Sequence, residues 1–396
     1  MRFVAICFSL LLVACGDIVP SSDEHELYHN YQLLKAYFYK PERIRELSEY
    51  EGMEVDEMYE TLDDYFKGHR YTRYFPPAVA DEKQDQIGNS KKYYSFGFER
   101  EPIDDTLVVS AVYPVSPAAS QAGLKKRDKL LFANGVSLTG KDTAARYLNS
   151  DSLFEILANF IVLRGENILA LPTMQKVEVQ VPTVYLDSLD GIPFIRVTQY
   201  KSQTNNPNGT YAEFKNVLQE IKGTKTAIMD LRNNTGGLLS HCTAMAAELV
   251  PLGSELIYDI EHFYDRERGY VVEPVHHFAN SESMGAGINW IFLINENTAS
   301  CSERFLAAVR YNRPYPETTI IGKTTAGKGI AQKSIKTYLG GLAQITCLQS
   351  YYPNGETFHE IGIEPDVSAL AKHLPGNLPQ KFPESKTKPT EFGAYK

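Results

Sequence analysis

Cysteine is scarce in this chain, five among 396 residues, and no two of them stand in a C-x-x-C spacing. That absence excludes a zinc ribbon or knuckle, and no metal is expected. Positive charge is in deficit. Forty Lys and Arg face 49 Asp and Glu, a net charge of −9, which argues against nucleic acid as a partner. No second long apolar run follows the one at the amino terminus, so no internal membrane span is expected. Gly322-Lys323-Thr324 has the ending of a phosphate-binding loop, but the earlier glycine such a loop requires would fall on Glu317. A nucleotide site is thereby excluded, and no cofactor is expected.

What the chain does have begins at its first residues. Arg2 precedes an apolar stretch from Phe3 to Val13, too short to span a membrane in a mature protein, and Leu12-Val13-Ala14-Cys15 has the form of a bacterial lipoprotein cleavage site. Cys15 would then be the lipidated first residue, anchoring the protein to a membrane of the bacterial cell envelope, at the outer membrane or the periplasmic face. With Cys7 in the signal and Cys15 on lipid, Cys242, Cys301 and Cys347 remain. Three is odd, so no disulfide framework is expected. A hydrophobic content of 43% is enough for more than one core.

Three later segments carry chemistry. They are the turn Asp230-Leu231-Arg232-Asn233-Asn234-Thr235-Gly236-Gly237, the turn Glu296-Asn297-Thr298-Ala299-Ser300-Cys301-Ser302-Glu303, and the loop Gly327-Lys328-Gly329-Ile330-Ala331-Gln332. Each turn follows a short apolar run that reads as a buried strand, Thr226 to Met229 and Trp290 to Ile294, and each leads into helical apolar spacing. At such a turn a side chain projects from the carboxyl edge of a sheet, with helix amides behind it. Ser300 is placed to be a nucleophile, and Gly236 and Gly237 to bring backbone N–H groups close to a carbonyl oxygen.

A lysine is protonated at neutral pH unless burial without a carboxylate partner favours the neutral amine. Lys328 between two glycines has a candidate neutral partner in Gln332, four positions on. Ser300 with Glu303 also fits the S-x-x-E capping box, in which the serine only satisfies helix amides. Asn-Thr-Gly-Gly is also an ordinary turn composition, and Lys328 also reads as a solvated loop charge. Asp230 and Arg232 read as holding the first turn in shape, through an ion pair or through backbone hydrogen bonds. The pair His276-His277 reads as surface loop, and His359 as part of a polar hairpin.

The series Asp-Leu-Arg-Asn-Asn-x-Gly-Gly, Asn-x-Ala-Ser-x-Ser-Glu, Gly-Lys-Gly-x-x-Gln, Tyr352-Pro353-Asn354-Gly355 and Gly362-Ile363-Glu364-Pro365-Asp366-Val367 resembles the carboxyl-terminal processing peptidases, or tail-specific proteases. The resemblance implies Ser300 as nucleophile, Lys328 as base, Gln332 as its partner, and an oxyanion amide from the Gly-Gly turn beside the nucleophile's own. Cys301 departs from the alanine more usual there. Lys328 follows Ser300 by 28 positions, a few more than the family pattern, which a surface loop at Arg313-Pro314-Tyr315-Pro316 would absorb.

Ser95-Phe96-Gly97-Phe98, the strand Leu107 to Val112, Ser116-Pro117-Ala118-Ala119 and Asp128 to Val136 resemble a PDZ domain. Phe96, Gly97 and Phe98 would bind a terminal carboxylate, a helix from Asp142 through Leu148 would form the other wall of the groove, and Arg127 stands where a glycine is usual. The implied architecture is multi-domain α/β (α+β). It comprises signal 1–14, tether 15–23, helical cap 24–90, PDZ domain 91–185, a ClpP/crotonase-like α/β peptidase domain 186–372 and a tail 373–396. The implied function is a serine endopeptidase that binds the free C-termini of protein or peptide substrates; the alternatives are a catalytically inactive peptide-binding scaffold lipoprotein and a small-molecule esterase or amidase.

Overall fold

The computed structural model describes residues 22–62, 64–140, 156–280 and 283–368. Cys15, the groove helix expected from Asp142 and the tail from 373 lie outside them. Mixed α/β structure is distributed over several sheets, as the sequence implied. The two buried strands form at Thr226–Asp230 and Asn289–Ile294. They are the middle of a six-stranded sheet ordered Val184–Leu189, Ile192–Val197, Thr226–Asp230, Asn289–Ile294, Thr318–Gly322 and Val367–Ser368, antiparallel only in its first pair. Parallel neighbours need a crossover, and helix Gly209–Glu220 supplies one. Phe214, Val217 and Leu218, spaced three and four apart, pack into the core with Ile195 and Met229. Because the two middle strands run parallel in register, their following turns leave the same edge of the sheet, and this brings the Gly-Gly turn against Ser300.

A second sheet, ordered Gly269–Phe278, Glu255–Asp265, Leu342–Tyr351 and Ile330–Lys336, lies beside the turns. His276 and His277 belong to its outer strand, not to a loop. Side chains alternate between more and less exposed along that strand, the period of two that an extended backbone imposes. A short amino-terminal strand, Arg73–Phe75, pairs with Leu342–Tyr351 at Gln344↔Arg73, Ala343↔Tyr74 and Leu342↔Phe75. The helices Ser22–Tyr37 and Val55–Glu60 share one core with this sheet: Leu34, Phe38, Tyr50 and Met58 cluster with Ala343 and Ile345.

A third, antiparallel sheet runs Asn167–Ala170, Phe160–Arg164, Lys129–Ala133, Thr106–Val112, Phe98–Ile103, so Phe98–Ile103 is an edge strand among the described residues. Arg127 takes a left-handed φ of 71° in the turn before Asp128, where glycine would be unstrained, and Asp128 answers with an ion pair to Arg164 at 2.7 Å.

Candidate active site

Ser300 adopts φ 57° and ψ −118° at the junction of strand Asn289–Ile294 and helix Cys301–Asn312. This is a left-handed conformation that a non-glycine residue holds only when its surroundings impose it. The two turns supply that constraint through their asparagines. Asn233 N–H donates to Asn295 Oδ1 at 2.9 Å, while Asn295 Nδ2 and Asn297 Nδ2 donate back to Asn233 Oδ1 at 2.8 and 3.0 Å. Thr298 Oγ1 donates to the Leu231 carbonyl at 2.9 Å and Ala299 N–H to the Asn234 carbonyl at 3.0 Å. Arg232 forms a two-point ion pair with Asp230, 2.8 Å at each contact, as expected.

Gly236 lies directly on the serine: a Cβ there would stand 2.9 Å from Ser300 Cβ and 2.9 Å from Cys301 N. Gly237, with φ 148°, would place a Cβ 2.1 Å from the Tyr200 carbonyl. Two of the amides expected to face an oxyanion are already engaged. Gly236 N–H donates to Asn234 Oδ1 at 2.9 Å, and Ser300 N–H to Glu303 Oε2 at 2.8 Å. The turn holds its own shape with the first and the helix its start with the second. The amides of Gly237 and Cys301 are the neighbouring donors.

Lys328 and Gln332 line the same cavity as Ser300, Gly236 and Gly237, a space of about 310 Å³. The loop expected to continue to Gln332 ends at Gly329, since Ile330–Lys336 is a strand. Its register shifts between Ala331 and Gln332, and such a bulge re-aims a side chain. Lys328 Nζ donates to Gln332 Oε1 at 3.0 Å and sits 3.9 Å from the centre of the Tyr71 ring. Burial lowers its pKa to about 7, with the charge of Arg73 acting in the same direction and the carboxylates of Glu303 and Asp64 opposing. Tyr71 also faces the cavity. Its hydroxyl is buried without a hydrogen-bond partner among the described residues, and burial pushes its pKa to about 12.

Glu303 is more than a helix cap. Fully buried, it takes Ser300 N–H and Lys328 N–H on one oxygen, at 2.8 and 2.7 Å, and Thr325 Oγ1 and Gly327 N–H on the other, both at 2.5 Å. Burial raises its pKa against the pull of those donors. The S-x-x-E spacing in the sequence marks Glu303 only as the partner of a capping serine; its reach to the glycine-rich loop downstream is a tertiary contact. His359 holds the other side of the same loop through Gly327, Nδ1 to carbonyl oxygen at 3.3 Å. A second buried amine in the cavity, Lys201 Nζ, with a pKa lowered to about 8 by burial, donates to the carbonyls of Gln86 and Ile87.

One expectation is overturned outright: Cys301 forms a disulfide with Cys242, both fully buried, with Cα atoms 5.8 Å apart. An odd cysteine count bears on frameworks, whereas pairing depends on proximity, and helix Leu239–Ala247 packs against Cys301–Asn312. The sulfur beside Ser300 is therefore bonded. Cys347 stays a free thiol, its pKa raised to about 11 by burial.

Farther out, Phe96 is a core residue at 3% exposure, with Phe98 packed partly against the same cluster. Gly97 N–H donates to Ser95 Oγ, and its carbonyl accepts from Tyr113 N–H and Ser116 Oγ. A string His25-Glu26-Leu27-Tyr28-His29 has the His-Glu-x-x-His form of zinc peptidases and was missed in the sequence reading. Glu26 is buried there, accepting from Tyr74 Oη and Leu339 N–H, so it is a structural acceptor. Asp259, Glu261 and His277 bring potential ligand atoms within 4.8 Å of one another, but Arg304 and Ser350 already occupy Asp259.

Comparison with protein families matches residues 191–369 to Peptidase family S41. Among curated proteins the chain is similar to a "Probable CtpA-like serine protease" of Staphylococcus aureus (strain COL), 26% identical over 351 residues, 88% of this chain and 65% of that one. One of the same name from Staphylococcus epidermidis (strain ATCC 12228 / FDA PCI 1200) is 25% identical over 362 residues, 90% of this chain and 67% of that one. The chain thus spans just under two thirds of the first relative's length. Among solved structures, a photosystem II D1 C-terminal processing protease aligns with a TM-score of 0.49 and 18% identity, covering 88% of this chain and 93% of that one. A putative S41 protease from Bacteroides fragilis aligns at 0.49 and 15%, covering 90% and 92%.

Proposed function

We propose that this chain, whose residues 191–369 match peptidase family S41, is a serine endopeptidase with Ser300 as nucleophile and Lys328 as general base. The observation that carries the reading is a lysine amine with a pKa near 7 in the same cavity as a serine held at a strained strand-to-helix turn. The neutral amine takes the Ser300 hydroxyl proton as Oγ attacks a peptide carbonyl. The N–H groups of Gly237 and Cys301 meet the oxyanion. Collapse breaks the C–N bond, the ammonium returns its proton to the departing amine, and water attacks the acyl-enzyme by the same route.

The finer parts of the reading concern substrate and place. A free C-terminus would be captured by adding as a strand to Phe98–Ile103, an edge strand of its sheet among the described residues. Because Gly97 N–H is engaged with Ser95 Oγ, capture of a carboxylate by the Phe96-Gly97-Phe98 amides requires that bond to open. Lipidation of Cys15 would hold the enzyme on an envelope membrane. The test is cleavage of an unfolded protein with an apolar C-terminus by the form lacking residues 1–15, beside Ser300→Ala and Lys328→Ala. Cleavage by the parent and loss in both variants is expected; binding without cleavage by the parent would replace this reading with a peptide-binding scaffold.

A further inference from the structure

The amine of Lys328 needs an orientation as well as a pKa, because its lone pair must face Ser300 while its N–H groups face elsewhere. Gln332 supplies an acceptor, yet an amide side chain can present either its oxygen or its NH2, and only the oxygen suits an amine donor. Two hydrogen bonds farther out decide this. Thr346, fully buried, donates its hydroxyl proton to Asp64 Oδ2 at 2.8 Å. Having spent its only proton there, Thr346 Oγ1 can only accept from Gln332, and Gln332 Nε2 reaches it at 3.3 Å. The oxygen of Gln332 is thereby turned to Lys328 Nζ, 3.0 Å away.

Asp64 is in turn locked as an acceptor by Thr72 N–H at 3.0 Å, Thr72 Oγ1 at 2.6 Å and Tyr39 Oη at 3.1 Å. It reaches this place because Arg73–Phe75 pairs with the strand that carries Thr346. We propose, resting on the serine–lysine reading above, that Asp64 in the amino-terminal segment is a positioning residue of the active site, acting through Thr346 and Gln332 to aim the lone pair of Lys328 at Ser300. The helical cap is then part of the chemistry, and a peptidase domain without it lacks an oriented base.

The test compares the full chain with Thr346→Val, Thr346→Ser and Asp64→Asn, measuring kcat and KM at alkaline pH, where the amine is neutral in every form, and then the pH profile. Thr346→Val keeps the shape and deletes the relay; kcat should fall about 10- to 100-fold with KM unchanged, and Thr346→Ser should restore most of it. Asp64→Asn leaves Thr346 free to donate to Gln332, reversing the amide, and removes a charge that favours the ammonium. Its kcat should fall as well, and its acid limb should move to lower pH, whereas the limb of Thr346→Val stays. Parental kcat in Thr346→Val, or equal losses in the Val and Ser variants, would overturn the relay while leaving the serine–lysine reading standing. Undiminished cleavage by Ser300→Ala would overturn that reading and the relay with it.

Discussion

One oxygen of Glu303 accepts the backbone N–H of Ser300 at 2.8 Å and that of Lys328 at 2.7 Å. A single buried carboxylate thus ties the turn bearing Ser300 to the loop bearing Lys328, and fixes their separation without a direct contact to the lysine amine. Replacing it by Gln puts an NH2 where an oxygen took two donors. Glu303→Gln is expected to lower kcat about 100-fold by misplacement and to destabilise the fold by about 2–4 kcal/mol, since two buried N–H groups lose their acceptor. Steady-state kinetics beside denaturant titration would check both.

Activity should rise with pH. If the neutral amine is the base, kcat/KM increases about tenfold per pH unit below the Lys328 pKa near 7 and levels above it. A profile that falls through this window would contradict the assignment.

The same lysine weakens the fold at low pH. Its pKa is near 7 when folded and 10.5 otherwise, so between these values the unfolded chain binds the additional proton and stability climbs with pH. Below 7 the penalty is present in full. Lys328→Met should be inactive yet more stable than the parent at pH 7, with the advantage shrinking steadily as pH rises from 7 to 10.5; thermal melting across pH measures it.

Removing the disulfide should separate stability from chemistry. Cys242 and Cys301 are 59 positions apart, and losing a cross-link over a loop of that size costs about 2–4 kcal/mol. Cys242→Ala with Cys301→Ala should therefore lower the denaturation midpoint while the double variant, assayed where it is folded, still cleaves. Loss of cleavage in a folded double variant would show that the bond also holds Ser300 in place.

The buried hydroxyl of Tyr71, unpartnered among the described residues, invites a bond from substrate. Tyr71→Phe should raise KM several-fold, with stability unchanged or improved by about 1 kcal/mol, because an unsatisfied buried polar atom is removed. Peptide titration and melting curves distinguish this from a packing defect, which would lower stability.

The three motif segments could be located in the sequence because each is local. A buried apolar run, a glycine turn and an amphipathic helix follow one another within a few residues, so Thr226–Asp230, Asn289–Ile294 and the helix behind Ser300 were expected nearly where they lie. Arg127, marked in the sequence only as standing where a glycine is usual, takes a left-handed φ of 71° in the structure.

What the sequence by itself determined was the order of the Gly-Gly turn, Ser300 and Lys328 along the chain, with an uncharged candidate partner, Gln332, four positions beyond the lysine. Tertiary structure decided the rest: that Cys301 meets Cys242, that the amides of Gly236 and Ser300 are already engaged, that Glu303 spans two loops, and that Asp64 and Tyr71 enter the site from the amino-terminal segment. Asp64 and Thr346 are 282 positions apart. Their meeting depends on which strand edge Arg73–Phe75 joins, a choice made by packing of the helical cap on Ala343 and Ile345, and spacing along one chain carries no trace of it.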